Sequence, residues 1–584
     1  MQGVVRTKEQ ESTIRFDDND LPLQRVYFSE SARPSQPLLT QPGGGKVQTW
    51  SWSEAMLETR RIVAWIREQN WPAESRIVVL SKNCAWWIMA DIAIWMSGHV
   101  SVPLFPALRD ESLTALFAHS EPVACFLGEL DQPPPFHTSP LQNVRVVRFP
   151  NAKRDHLPPS SEDWEAIVRT RGAFEGHPTR AADDVATIIY TSGTTGQPKG
   201  VMQSFRSLSL MGKSMEPALG NSPYPLDRIL SYLPLAHIAE RAIVEMNSLM
   251  MPLHVFFTEG QPTFLTDLQR SECTVFFSIP RLFLRFQQGV LEKIPEKKLE
   301  RLIKIPLLSR LIRHKILKGL GLQRARLVAS GGAAIPVELV RWYRRLGLNF
   351  VEGYGMTETG ITHVPLPSRF RAGFVGNASP YADTRISDAG EIQIKGPMNL
   401  LGYYKDPGLT QRAFTDDGYF HTGDRGEIDE EGRLRIIGRL KEEFKTAKGK
   451  YVVPAPIEKL LSLSPMFESV CVLGSGMSAP FCLAVLVPDL RRAAESPSHR
   501  ETLSQTLAHE LDRVNSHLDP HEQLRFLVVC PQPWTPDNGL LTPTLKVRRT
   551  VLEERFNSSF SRWEQSKGRV LWEDLDHGAT NSRT

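Results

Sequence analysis

The chain has 584 residues, 41% apolar and 23% charged, and its 69 basic side chains outnumber the 65 acidic ones by four. So small an excess argues against a dedicated nucleic-acid binder, which concentrates far more basic charge. Six cysteines stand without Cys-x-x-Cys spacing, which suggests neither a disulfide framework nor a zinc site and fits a reducing, cytoplasmic compartment.

The first twenty residues are polar, carry acids early and lack the apolar core of a signal peptide. Residues 76–82 (RIVVLSK) predict a strand, 85–97 a helix, 100–105 a strand, 110–120 a helix and 123–127 a third strand. That alternation implies parallel strands covered by helices on both faces. The most apolar stretch, 85–105, contains Asp91, His99 and Pro103. A charge in mid-span is costly in a bilayer, so the stretch reads as a buried helix running into a strand. Short apolar strands recur at 185–190, 228–233, 255–257, 275–279 and 326–329. After Gly390 the texture changes to EIQIKG, GRLRIIGRL and VCVLG strands separated by turns, and a helix follows at 501–514. The expected fold is α/β. A large N-terminal domain (1–438) holds mostly parallel, helix-covered sheets plus a β-rich subdomain. A smaller, mobile α+β domain (439–566) follows, then a flexible tail (567–584).

The strongest chemical signal is residues 190–200 (YTSGTTGQPKG), directly after an apolar strand. Its glycines allow inward-pointing backbone amides that favour phosphate oxygens. Thr191, Ser192, Thr194 and Thr195 add hydroxyls between Gly193 and Gly196, and Lys199 adds a charge. The spacing is not that of a Walker A loop. Further along stand 330–334 (SGGAA), 354–359 (YGMTET), 421–424 (HTGD) and Gly438-Arg439.

In order and spacing these five motifs resemble the adenylate-forming enzymes, which include acyl-CoA synthetases, luciferases and peptide-synthetase adenylation domains. The resemblance spans residues 51–550. It implies that ATP, Mg²⁺ and coenzyme A take part. Glu358 offers a hard carboxylate beside Thr357, suited to Mg²⁺ held against nucleotide phosphates, and Thr191 joins it as a metal contact. Thr357 faces the α-phosphate. The Tyr354 ring can stack on adenine next to Gly355, with Gly332 and Ala333 leaving room for its edge. Asp424 can accept hydrogen bonds from both ribose hydroxyls, with Arg439 beside the same sugar. Lys546 stands where the family keeps its catalytic lysine. Many relatives have Gly just before it; this chain has Leu545, a departure that long-chain acyl-CoA synthetases share. Lys199, Thr191 and Glu358 would stabilise charge during the same step. Lys441 falls at the family's hinge, and residues 447–450 (AKGK) on the face that meets the pantetheine arm.

The implied reaction has two steps: a carboxylate attacks the α-phosphate of ATP, giving acyl-AMP and pyrophosphate, and coenzyme A then displaces AMP. Residues 233–241 (LPLAHIAER) resemble the long-chain form of the segment lining the acyl pocket, with His237 near the carboxylate. Arg241 stands where some long-chain enzymes carry an aromatic gate, which leaves the acyl entry route open. The expected activity is that of a long-chain-fatty-acid–CoA ligase acting on fatty acid, ATP and coenzyme A. A fatty acyl-AMP ligase, an aryl or medium-chain CoA ligase and a catalytically dead nucleotide-binding scaffold are the alternatives.

Residues 291–326 hold eleven basic side chains against three glutamates, a local +8, with leucines and isoleucines at roughly helical spacing divided by Pro306. Two readings stay open: a basic amphipathic helix that lies peripherally on an anionic membrane, or a helix pair whose apolar side packs on the sheet.

Overall fold

The computed structural model describes residues 16–131, 139–153, 160–192, 198–542 and 545–573. Its largest sheet has eight strands in the order Gly402–Tyr403, Pro198–Ser204, Val185–Ser192, Val100–Leu104, Arg76–Leu80, Ala124–Leu127, Arg145–Arg148 and Glu162–Asp163. From Val185–Ser192 onward along that order neighbours are parallel, while the Val185–Ser192/Pro198–Ser204 hairpin and the Gly402–Tyr403 edge are antiparallel.

Strand Arg76–Leu80 shows why the sheet is helix-covered. Successive side chains point to opposite faces. Ile77 and Val79 enter one core cluster with helices Trp52–Glu68 and Ala85–Met96, whereas Val78 and Leu80 enter another with helix Asp110–Ser120. A strand buried on both sides must be apolar throughout, and this one is. Helix Trp52–Glu68 is started by a capping box in which Ser51 and Glu54 satisfy each other's backbone amides. All twelve residues of Ala85–Met96 are buried, including Asp91. No described helix is long and apolar enough to cross a membrane.

A second sheet orders Asp227–Ser231, Leu253–Phe257, Pro37–Gly43 and Lys46–Ser51, and a parallel three-stranded one joins Val275–Ser278, Leu327–Ser330 and Phe350–Glu352. An antiparallel sheet follows, built from Asp383–Ile386, Glu391–Lys395, Phe420–Ile428 and Leu434–Arg439. From Phe444 onward the chain packs around two clusters of its own, on either side of a sheet ordered Phe467–Leu473, Phe481–Leu486, Leu527–Val529 and Val570–Trp572.

That last strand corrects the expected tail. The polar texture from residue 567 predicts a frayed end, yet Val570–Trp572 pairs in parallel with Leu527–Val529, and Trp572 Nε1 donates to Ser504 Oγ at 2.9 Å. Three apolar residues in polar company are too short a run to announce a strand. Residues 574–584 lie outside the described residues.

Arg241 also has a place that its sequence position did not reveal. It is fully buried, ion-paired to Asp91, 3.4 Å from Glu245 Oε2, and 5.2 Å and 5.7 Å from the rings of Trp87 and Trp95. Burial raises the Glu245 carboxyl well above its ordinary value. The guanidinium therefore ties a turn of π-helix (Arg241–Met246) to the central helix. Arg241→Met strands Asp91 without its counter-charge and should lower stability by about 3–5 kcal/mol. Adding Asp91→Asn should recover much of that loss, as read by urea denaturation.

Candidate active site

The hairpin Val185–Ser192/Pro198–Ser204 sets Thr191 directly opposite Lys199. Gly193, Thr194, Thr195 and Gly196 at its tip lie outside the described residues, as does the Ser192 side chain. Lys199 Nζ stands 5.8 Å from the Tyr403 ring, and Tyr403 OH donates to Glu358 Oε1 at 3.2 Å. Tyr403 thus bridges the hairpin cation and the carboxylate. Burial raises the Glu358 carboxyl above its ordinary value, with Tyr403, Arg439 and Lys199 pulling back. Thr357 beside it is fixed through its carbonyl, which accepts from Gln203 Nε2 at 2.7 Å; Ser207 in turn donates to Gln203 Oε1 at 2.6 Å.

The adjoining floor is made of close backbone approaches. A Cβ on Gly355 would lie 2.3 Å from the Gly360 carbonyl oxygen, so only glycine fits between strands Tyr354–Met356 and Gly360–His363. Gly332, by contrast, has φ +77° and open space where a Cβ would stand, and Ala333 next to it is exposed. Tyr354 OH donates to Asp424 Oδ2 at 2.6 Å, and Arg439 Nε meets Asp424 Oδ1 at 2.8 Å. Asp424 and Arg439 are direct cross-strand partners. Asp424 N is held by Thr422 Oγ1 at 3.0 Å, Thr422 Oγ1 donates to Ile392 O, and Gly423 N donates to Glu391. Among the described residues each Asp424 oxygen has one side-chain partner, which leaves lone pairs to accept from a vicinal diol. Burial raises this carboxyl despite Arg439 and Tyr354.

Asn83 fastens the segment leading to His237. Its amide donates to Ser231 Oγ at 2.8 Å, and its carbonyl accepts from Leu235 N at 2.9 Å. His237 caps the next turn, with Nδ1 accepting from Ala239 N at 3.2 Å. Burial and the charge of Lys546 push the imidazole down to about 4, so it is neutral at pH 7. Lys546 comes from the far end of the chain, and its charge acts on Asp424, Glu358 and His237. It retains solvent-accessible surface while walled in by protein, and that desolvation, followed by Arg439, lowers its pKa. The turn that presents it is closed by Thr542 N to Lys546 O at 2.8 Å and Leu545 N to Thr542 O at 2.8 Å. Leu545 sits there at φ +61°. Lys441 is exposed on the short 3-10 helix Leu440–Glu442, away from these contacts.

Residues 28–404 match the AMP-binding enzyme family, and residues 443–563 match the AMP-binding enzyme C-terminal domain. The chain belongs to the AMP-binding enzyme family. Among its relatives are a long-chain-fatty-acid–CoA ligase of Mycobacterium bovis, 31% identical over 83% of this chain and 87% of that one, and long-chain-fatty-acid–CoA ligase 1 of Homo sapiens, 29% identical over 82% and 77%. Long chain acyl-CoA synthetase 2 of Arabidopsis thaliana is 29% identical over 92% and 91%. In fold the chain is similar to the adenylation domain of a carboxylic acid reductase from Segniliparus rugosus, solved with AMP and a carboxylic acid. There the TM-score is 0.77 at 20% identity over 93% of this chain and 94% of that one.

Gln203, Tyr403, Thr422, Glu391 and Asn83 complete this AMP-binding enzyme's cleft and were not among the residues picked out in the sequence. Tyr403 and Gln203 lie outside the recognised motifs, and Thr422 stands inside one with its role hidden by its neighbours.

Two outcomes test the geometry. A non-glycine residue in the left-handed region costs about 1–2 kcal/mol, so Leu545→Gly should stabilise the C-terminal unit by up to about 1 kcal/mol after the added freedom of the unfolded chain, read as a higher urea midpoint at unchanged slope. Because His237 is already neutral down to about 4, His237→Asn should leave the acid limb of kcat/KM between about pH 6 and 8 where it was. A limb that moves would mean that the imidazole titrates there.

Proposed function

We propose that the chain activates a long-chain fatty acid with ATP, releasing pyrophosphate, and transfers the acyl group to coenzyme A. The observation that carries this is the convergence of Lys546 with Glu358, Asp424 and His237 in one cleft, although they are spread over more than three hundred residues. The names of the human, mycobacterial and plant relatives support the long-chain substrate, as does the segment around His237.

A carboxylate is a weak nucleophile and ATP a crowded anion, so the first step needs charge stabilisation more than a protein nucleophile. Asp424 and Arg439 hold the ribose, and Tyr354 lies against adenine above Gly332 and Ala333. Lys199 and Thr191, paired across the hairpin, face the phosphates. Lys546 meets the oxygens on which charge grows as the bond to pyrophosphate breaks. His237, neutral and fixed by its cap, orients the acid without adding a charge.

A divalent cation fits Glu358. No group of three or more His, Cys, Asp or Glu that could hold a metal ion occurs among the described residues. Glu358, a carboxylate with burial working against its charge, would hold Mg²⁺, with Thr191 as the second contact. Bound there, Mg²⁺ supplies Lewis-acid neutralisation of phosphate charge.

For the second step we propose that residues 439–566 turn about Lys441, withdrawing Lys546 and bringing residues 447–450 toward the pantetheine arm of coenzyme A. Rigid-body reclosure about a few residues is an established switching mode.

Pyrophosphate release across acids from acetate to oleate, without and then with coenzyme A, tests the substrate. Palmitate should give pyrophosphate alone and palmitoyl-CoA with the thiol. Release with benzoates but not palmitate overturns the long-chain assignment. Lys546→Ala should abolish pyrophosphate release yet leave thioester formation from supplied palmitoyl-AMP largely intact. In the wild type, adenylation should fail on the alkaline side below the ordinary lysine value of 10.5, because the ammonium is lost as pH rises through a depressed pKa. Lys546→Arg should carry its residual activity to higher pH.

A further inference from the structure

Residues 301–326 contain eight basic side chains and no acidic one. Five of them, Arg301, Arg310, Arg313, Lys315 and Lys318, lie on a pair of helices, Glu296–Ile303 and Pro306–Gly319, with Lys304 between the two and Pro306 opening the second. Arg324 and Arg326 stand beyond the pair and are ion-paired to Glu272 and Asp227. The pair is anchored inward by Leu299, Ile316 and Leu320, which enter the same core cluster as Phe283 and Trp342. Two of its acids are spent on a neighbouring helix: the exposed Glu296 and Glu300 lie 3.5 Å and 2.9 Å from Arg345. One side of the pair is therefore ordinary core, and these two glutamates are ion-paired at its edge.

The outward side is different. At 100° per residue, Leu307, Leu311, Lys315 and Lys318 fall opposite Ser309 and Ile316, the buried residues of this helix. Leu307 is 90% exposed, Leu311 65% and Ile305 50%. Single exposed leucines are unremarkable. Three large exposed apolar side chains within seven residues, flanked by Lys304 and Arg310, are not. Among the described residues no carboxylate pairs with Lys304, Arg310, Lys315 or Lys318.

We propose that this helix pair docks on an anionic lipid membrane. Ile305, Leu307 and Leu311 enter the interface, while Lys304, Arg310, Lys315 and Lys318 meet headgroup phosphates. An anionic bilayer suits exposed apolar side chains set among long cations without carboxylate partners, because it takes up the apolar groups and rewards each basic residue near its surface. The docking stands on the surface alone; only its consequence, fatty acid taken up where it is dissolved, rests on the proposed substrate.

The test is co-sedimentation of the full chain with vesicles of phosphatidylcholine, or of phosphatidylcholine with about one third phosphatidylserine. The wild type should bind the anionic vesicles and come off in about 0.5 M salt. The variant Lys304→Gln, Arg310→Gln, Lys315→Gln, Lys318→Gln should partition at least about tenfold more weakly onto them. Leu307→Glu with Leu311→Glu should weaken binding similarly. Both variants should keep the wild-type circular dichroism and its pyrophosphate release from fatty acid presented in detergent, since none of these residues lies in the cleft. A wild type that ignores anionic vesicles, or variants that bind as it does, overturns the proposal, and a surface for a protein partner would then be the reading to pursue. Binding that persists in a protein releasing no pyrophosphate from any acid leaves the surface standing and removes the functional reading.

Discussion

The cross-strand pair Asp424–Arg439 is the constraint on which the cleft depends. Antiparallel register fixes the two residues opposite each other, so the geometry offered to a ribose is set by the sheet and not by flexible side chains. Arg439 is half exposed, and an ion pair of that kind contributes at most about 1 kcal/mol. Its importance is positional. Arg439 is the last residue of its strand, followed at once by Leu440–Glu442 and then by the separate core that starts at Phe444. The residue proposed to face the sugar is thus the residue from which the C-terminal unit departs.

The charges around that pair are balanced against burial. Asp424 and Glu358 are carboxyls that burial pushes toward neutrality, and Lys546 is an ammonium that burial and Arg439 push the same way. A triphosphate would relieve the lysine, and a divalent cation would relieve Glu358. On the proposed reaction, departure of pyrophosphate takes away much of the negative charge that favours Lys546 in the cleft, which leaves desolvation and the like charge of Arg439 to favour its exit. The contacts across the cleft rim are of the kind that release readily. Arg281–Glu468 at 2.8 Å and Arg109 to Pro536 O at 3.2 Å are polar and near the surface.

Much of this was legible in the sequence because parallel strands buried on both faces are continuous apolar runs. RIVVL and VSVPL could hardly be anything else, and helix 110–120 was bounded correctly. The motifs singled out Glu358, Asp424 and Arg439, and position alone singled out Lys546; the fold makes Asp424 and Arg439 cross-strand partners. What the sequence could not give was pairing between distant positions. Asp91 looked only like an obstacle to a membrane span, and Arg241 only like an unusual residue at the acyl entry; each is the other's counter-charge, 150 residues apart. Tyr403 joins Lys199 to Glu358 from a two-residue edge strand, too short to carry a pattern. The neutrality of His237 depends partly on a lysine more than three hundred positions away.

Net charge conceals the remaining feature. The whole chain is +4 while residues 291–326 are +8, so everything else is slightly acidic at −4. An evenly spread +4 would draw a protein this large toward an anionic surface feebly and in any orientation. Separation of charge does more: the helix pair is attracted, the remainder is weakly repelled, and the two effects turn the same face toward the lipid. The apolar tip at Leu307 and Leu311 lies on that face, so electrostatics would orient the molecule before any hydrophobic contact forms. Burial of three side chains then has to contribute only the short-range part of the attachment.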